Sequence, residues 1–166
     1  MRISAHRDLP RRRSGLTTAV TIGGEPFCLI ANERADGSLG EVIIRHGKQG
    51  GAGAGLMDSY AAALTAGIRH GVPLADLLRP GLGVSFVPSG HTDDPEIPRA
   101  RSVVDYVARR LAVDWLTRAD RAVLGVLTLT ERVQQATAWS SANGPSHAGP
   151  AVPSLPGEPE LSGSVR

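Results

Sequence analysis

The sequence predicts an α+β fold, a single domain in which an N-terminal antiparallel β-meander is followed by packed helices. Two observations carry this reading. Apolar and β-branched residues cluster in short runs up to about residue 45, then recur with the 3.6-residue period of helices from residue 56 onward. The strands also come first instead of alternating with helices, which argues against a βαβ arrangement. Size agrees: 166 residues, 41% hydrophobic but only 4% aromatic, suit one domain with an aliphatic core.

Residues 17–22 are β-branched apart from Ala19, and Gly23-Gly24 is a turn signal leading into the run 27–31. Ala35-Asp36-Gly37-Ser38 is a second turn, followed by residues 39–45 with Val42, Ile43 and Ile44. Cys28 falls inside the second strand, where a buried structural thiol is expected rather than a reactive one. Leu56, Met57, Tyr60, Ala61, Leu64 and Ile68 then mark one face of an amphipathic helix that Gly71-Val72-Pro73 ends. Leu74, Leu77 and Leu78 form a short second helix, stopped by Pro80-Gly81. Residues 84–87 are expected to make a fourth short strand.

Pro95 and Pro98 suit a helix entry, with Asp94 as the N-cap. The strongest apolar stripe follows, Val103, Val104, Val107, Leu111 and Trp115, with Arg101, Asp105, Arg109 and Asp114 expected on the opposite, solvated face. Thr117 stands three residues before Asp120, and Thr128 three before Glu131; both spacings are capping signals, so two short helices are expected to close the domain.

Charge is uneven along the chain. Residues 1–16 hold five arginines against Asp8, leaving the rest of the chain acidic although the net charge is +2. Residues 1–14 therefore read as a basic flexible arm and 15–138 as the folded domain. Residues 139–166, rich in Pro, Gly and Ser, read as a disordered tail. A lone cysteine excludes an internal disulfide, a redox pair of cysteines and a cysteine-based zinc ribbon. No apolar run is long enough to span a membrane, and the cytoplasm is the expected compartment.

Three features invite a functional reading. Lys48, Gly50, Gly51 and Gly53 belong to a glycine-rich loop between a strand and a helix, where backbone amides and the helix dipole can cradle a phosphate and Lys48 adds a point charge. The spacing matches neither the P-loop nor the dinucleotide fingerprint, and a flexible connection remains the alternative. Ser89-Gly90-His91-Thr92-Asp93-Asp94 sets a histidine beside two carboxylates, but its spacing brings no further metal ligand, so no metal site is assigned. The arginine arm could meet nucleic-acid phosphates, yet no aromatic residues are interleaved for stacking, and nucleic acid is not the expected partner.

Five ordered blocks nonetheless resemble a known family. Residues 39–50, 54–60, 71–74, 86–97 and 102–116 are similar to the C-terminal TSCPD domain of vitamin B12-dependent (class II) ribonucleotide reductases, within an overall similarity covering about residues 17–135. The chain departs in reading Phe86-Val87-Pro88 where the family usually has Phe-Glu-Pro, and Gly51-Ala52 where a Ser-Thr pair is typical. The resemblance implies a family enzyme that uses adenosylcobalamin to make a cysteine thiyl radical, with a pair of thiols as reductant and a large barrel around them.

This chain has Cys28 alone. The expectation is therefore an accessory or regulatory module in the reduction of ribonucleotides to deoxyribonucleotides for DNA synthesis. It has no catalytic residue of its own and binds no cobalamin by itself; a B12-dependent reductase is the expected partner and a nucleotide the candidate ligand. The alternatives are a nucleic-acid-associated protein using its arginine arm, and a divergent remnant without ligand.

Overall fold

The computed structural model describes residues 9–47 and 50–142. Strands β1 (Gly15–Ile22), β2 (Glu25–Glu33) and β3 (Leu39–His46) form an antiparallel sheet in the order β1-β2-β3. Helix α1 (Ala52–Arg69) follows, then α2 (Leu74–Leu78), a 3-10 turn over Arg79–Gly81, and a two-residue hairpin of β4 (Gly90–His91) and β5 (Arg99–Ala100). Helices α3 (Val103–Trp115), α4 (Arg118–Leu124) and α5 (Leu129–Ala142) close the chain's described part. The expected α+β meander-then-helices architecture is what the molecule has.

The register explains which residues are inside. Val20 and Ile22 of β1, Phe27, Leu29 and Ala31 of β2, and Val42 and Ile44 of β3 share one face and are buried. They join Met57, Ala61, Leu64 and Ile68 of α1, and Val103, Tyr106, Val107, Ala108 and Leu111 of α3, in one contiguous core. Cys28 stands on the other face and is half-buried, not part of that core. Period two decides this: a thiol next to the core residues Phe27 and Leu29 must point away from them.

Each outer edge of the sheet is covered at one place. On the β3 edge, Thr65 of α1 accepts from the Val42 amide at 3.0 Å and donates to the Val42 carbonyl at 3.2 Å. On the β1 edge, the Gly23 amide donates to the His91 carbonyl at 3.0 Å and the Thr21 amide to the Asp93 carboxylate at 2.8 Å, with Ile22 bridging to Thr92. Such cover satisfies backbone groups that an open edge would leave free to pair with other chains.

Four further sequence expectations need correction. Residues 84–87 do not form a strand: each is exposed, so the run has no buried face to organise a ladder, and it follows the start of α3 through Phe86 donating to Arg101 and Ser102 donating to Val84. Asp94 does not cap α3; Ser102 does, accepting from the Asp105 amide at 3.1 Å. Asp105 is not on a solvated face. It is 1% exposed because residues 81–84 fold over it, and its carboxylate accepts from the Gly83 and Arg101 amides and from Arg109. Helix α1 begins one turn earlier than Leu56, so Gly53 and Gly55 lie in its first turns.

The closing helices carry the expected caps. Thr117 accepts from the Asp120 amide, and Thr128 and Glu131 bond each other's backbone amides reciprocally at 3.2 and 2.9 Å. Helix α5 runs to Ala142, past the boundary at 138 drawn from composition, because no proline or glycine interrupts it before Gly144.

Candidate functional site at the β3–α1 junction

Strand β3 ends at His46, and Gly47 (φ +63°) and Gly50 (φ +87°) take left-handed backbone that favours glycine. Gly51 is the N-cap of α1, in extended conformation and with no side-chain cap, and the first helical turn holds no acidic residue. The amide groups that open an α-helix have no partners inside it. Here no cap side chain covers them, and the dipole leaves the end electropositive.

Beside this end lies an open cavity of about 620 Å³, lined by Arg45 and His46 of β3, by Gly47, Gly50 and Gly51, and by Ala54, Gly55 and Asp58 of α1. Its volume falls in the range of ligand-sized clefts. The His46 ring stacks on Phe27 with centroids 4.1 Å apart, which fixes the imidazole at the cavity wall. Arg45 reaches Asp58 at 3.5 Å, a pair exposed on both sides and so weakly held. Guanidinium, imidazole and uncapped amides are together a donor set for an anion, while Asp58 disfavours one unless Arg45 neutralises it.

Of the sequence-derived residues, Gly50 and Gly51 line this cavity. Gly53 stands in the first turn of α1, where a β-carbon would be 3.9 Å from His46. Lys48 lies outside the described residues. Arg45, His46 and Asp58 were not singled out from the sequence, although a cationic strand end running into a glycine loop was the available signal. Gly55 has open space where a side chain would go, so packing does not demand a glycine there.

The polar segment 89–94 has structural work instead. Besides the β1 contacts above, Thr92 donates to the Ile97 carbonyl, and Asp94 accepts from the Glu96 amide at 2.9 Å, the Tyr106 hydroxyl at 2.7 Å and Arg110 at 3.2 Å. Burial opposes ionisation of Asp94, but those three donors outweigh it and hold the carboxyl below the usual carboxylate range. Asp94 in turn helps burial push the Tyr106 phenol up. Arg110 also pairs with Asp114, completing a network that pins α3 to the segment before β5. Among the described residues no three His, Cys, Asp or Glu side chains gather as a metal site would require.

Fold and cavity together define a small α+β module with a glycine-lined cleft at a strand–helix junction. The chain belongs to the TSCPD family: the TSCPD domain model matches residues 3–114. It is 42% identical over 124 residues to a vitamin B12-dependent ribonucleotide reductase of Streptomyces avermitilis, covering 75% of this chain and 13% of that protein. A reductase of the same name from Streptantibioticus cattleyicolor is 42% identical over 124 residues, with 21% of it covered. One from Agrobacterium fabrum is 38% identical over 122 residues, with 10% of it covered. The chain thus spans a small fraction of the curated relatives it matches. No solved structure matches it.

The sequence has one cysteine, Cys28, half-buried on the outer face of the sheet. His46 is packed on Phe27, with Nδ1 3.5 Å from the Pro26 carbonyl, and Nδ1 of His70 is bonded to the Ala66 carbonyl at 2.8 Å. No helix among the described residues is long and apolar enough to cross a membrane.

Proposed function

We propose that this chain is an accessory or regulatory module of ribonucleotide reduction. In this reading it docks on a B12-dependent reductase and holds a nucleotide phosphate at the start of α1. The radical chemistry stays with the reductase, this chain binding no cobalamin alone, and the shared compartment is the cytoplasm. Gly50, Gly51 and Gly53 offer the amides, Arg45 a guanidinium and His46 a ring nitrogen, and Lys48, by its place in the sequence, a further positive charge. The observation that carries the reading is the coverage of the family match: three quarters of this chain align with a small part of much longer reductases. The uncapped, glycine-lined cavity supports the nucleotide.

Two measurements test it. Pull-down with a B12-dependent reductase is expected to retain the chain, and calorimetry with ribonucleotides and deoxyribonucleotides is expected to show saturable heat. Gly55→Leu, which fills the cavity from a position with open space around it, is expected to abolish that heat while the melting temperature is kept. Silence in both experiments overturns the proposal. Purified chain with adenosylcobalamin and a dithiol is expected to show no ribonucleotide reduction, and measurable turnover contradicts the assignment.

A further inference from the structure

A second cavity, of about 300 Å³, lies at the other end of α1 from the glycine-lined cleft. One wall is the turn between β2 and β3, which brings Arg34, Asp36 and Ser38; the other walls are apolar, with Leu39, Ile68, Leu74 and Trp115. The turn is tight, the Arg34 amide donating to the Ser38 carbonyl at 2.8 Å and the Gly37 amide to the Arg34 carbonyl at 3.1 Å. Each charge on it is held in place. Arg34 donates from Nη2 to the Ile68 carbonyl at 2.8 Å, its one side-chain hydrogen bond among the described residues. Asp36 accepts at Oδ1 from the Ser38 hydroxyl at 2.6 Å and the Ser38 amide at 3.0 Å, bonds that hold its carboxyl below the usual carboxylate range. Its Oδ2 has no hydrogen-bond partner among the described residues, and no ion pair there joins Asp36 to Arg34. Both charges therefore have capacity for a ligand.

We infer that this cavity binds a free α-amino acid with a branched or aromatic apolar side chain. Charges of both signs on one wall, with hydrocarbon on the others, match what such a molecule carries: its ammonium and carboxylate share one carbon, and its side chain points away from them. The Arg34 guanidinium takes the carboxylate, Asp36 takes the ammonium, and the side chain lies among Leu39, Ile68, Leu74 and Trp115. A ligand with a single charge fits less well. An anion would meet the like charge of Asp36, and a cation that of Arg34. Size agrees: the cavity has about half the volume of the cleft beside Gly51, which suits a ligand smaller than a nucleotide and makes this a separate site.

Fluorescence titration of the full chain carrying Trp139→Phe tests this, because Trp115 is then its one tryptophan. L-leucine and L-phenylalanine are expected to shift the Trp115 emission saturably. Isocaproate, which is leucine without its ammonium, is expected to bind about threefold more weakly than L-leucine. Isopentylamine, which is leucine without its carboxylate, is expected to bind about tenfold more weakly. Asp36→Asn, at an exposed position where the amide oxygen still accepts from Ser38, is expected to keep the melting temperature. It is expected to weaken L-leucine about threefold without weakening isocaproate. No saturable shift with either amino acid overturns the inference, as does isocaproate or isopentylamine binding as tightly as L-leucine. An Asp36→Asn chain that binds L-leucine with unchanged affinity also overturns it.

Discussion

Asp94 shows what one side chain can hold together. Its carboxylate takes donors from the Glu96 amide, Tyr106 and Arg110, joining a loop to the middle of α3. Because the folded-state carboxyl titrates below its unfolded value, this stability is present above about pH 4 and is lost as pH falls through the lower, folded value. Asp94→Asn is therefore expected to cost about 2 kcal/mol in urea unfolding at pH 7, with the gap to wild type closing as the pH is taken below the unfolded value. A gap that stays constant with pH contradicts the assignment. Tyr60 is the converse case. Burial pushes its phenol up to about 12, and its hydroxyl has no hydrogen-bond partner among the described residues. Tyr60→Phe is expected to raise stability by about 1 kcal/mol, since it removes an unpaired polar atom without opening a cavity. A destabilised variant in thermal melts would reveal a partner for that hydroxyl.

At the scale of elements, α1 both covers the β3 edge of the sheet and presents the cleft. Thr65→Val keeps the shape of the side chain but takes both partners from the exposed edge of β3 at Val42. The expected loss is about 1–2 kcal/mol, with faster hydrogen exchange at the Val42 amide than at amides inside the β2–β3 ladder. Unchanged exchange at Val42 would mean that the helix packs on the edge without satisfying it. The meander and both threonine caps were legible in the sequence because each depends on residues only a few positions apart. The run 84–87 looked like a strand by composition, but whether it pairs depends on a buried face, and residues 83–87 have none. Asp94 and Asp105 were misplaced for a related reason. Their partners Arg110 and Gly83 are sixteen and twenty-two residues away, beyond the reach of helical periodicity.

For the whole molecule, the blocks that resemble the TSCPD family were readable from the sequence, and the family match bears them out. The glycines of the cleft were also readable. Arg45, His46 and Asp58 were not joined to them, because only the approach of α1 to the end of β3 brings those side chains to one cavity. The proposed role of this chain rests on what it binds. The most direct test is an equilibrium titration of the fluorescently labelled chain with a purified B12-dependent ribonucleotide reductase, read by anisotropy. The account predicts a saturable rise reversed by unlabelled chain; a flat signal up to the highest reductase concentration contradicts it.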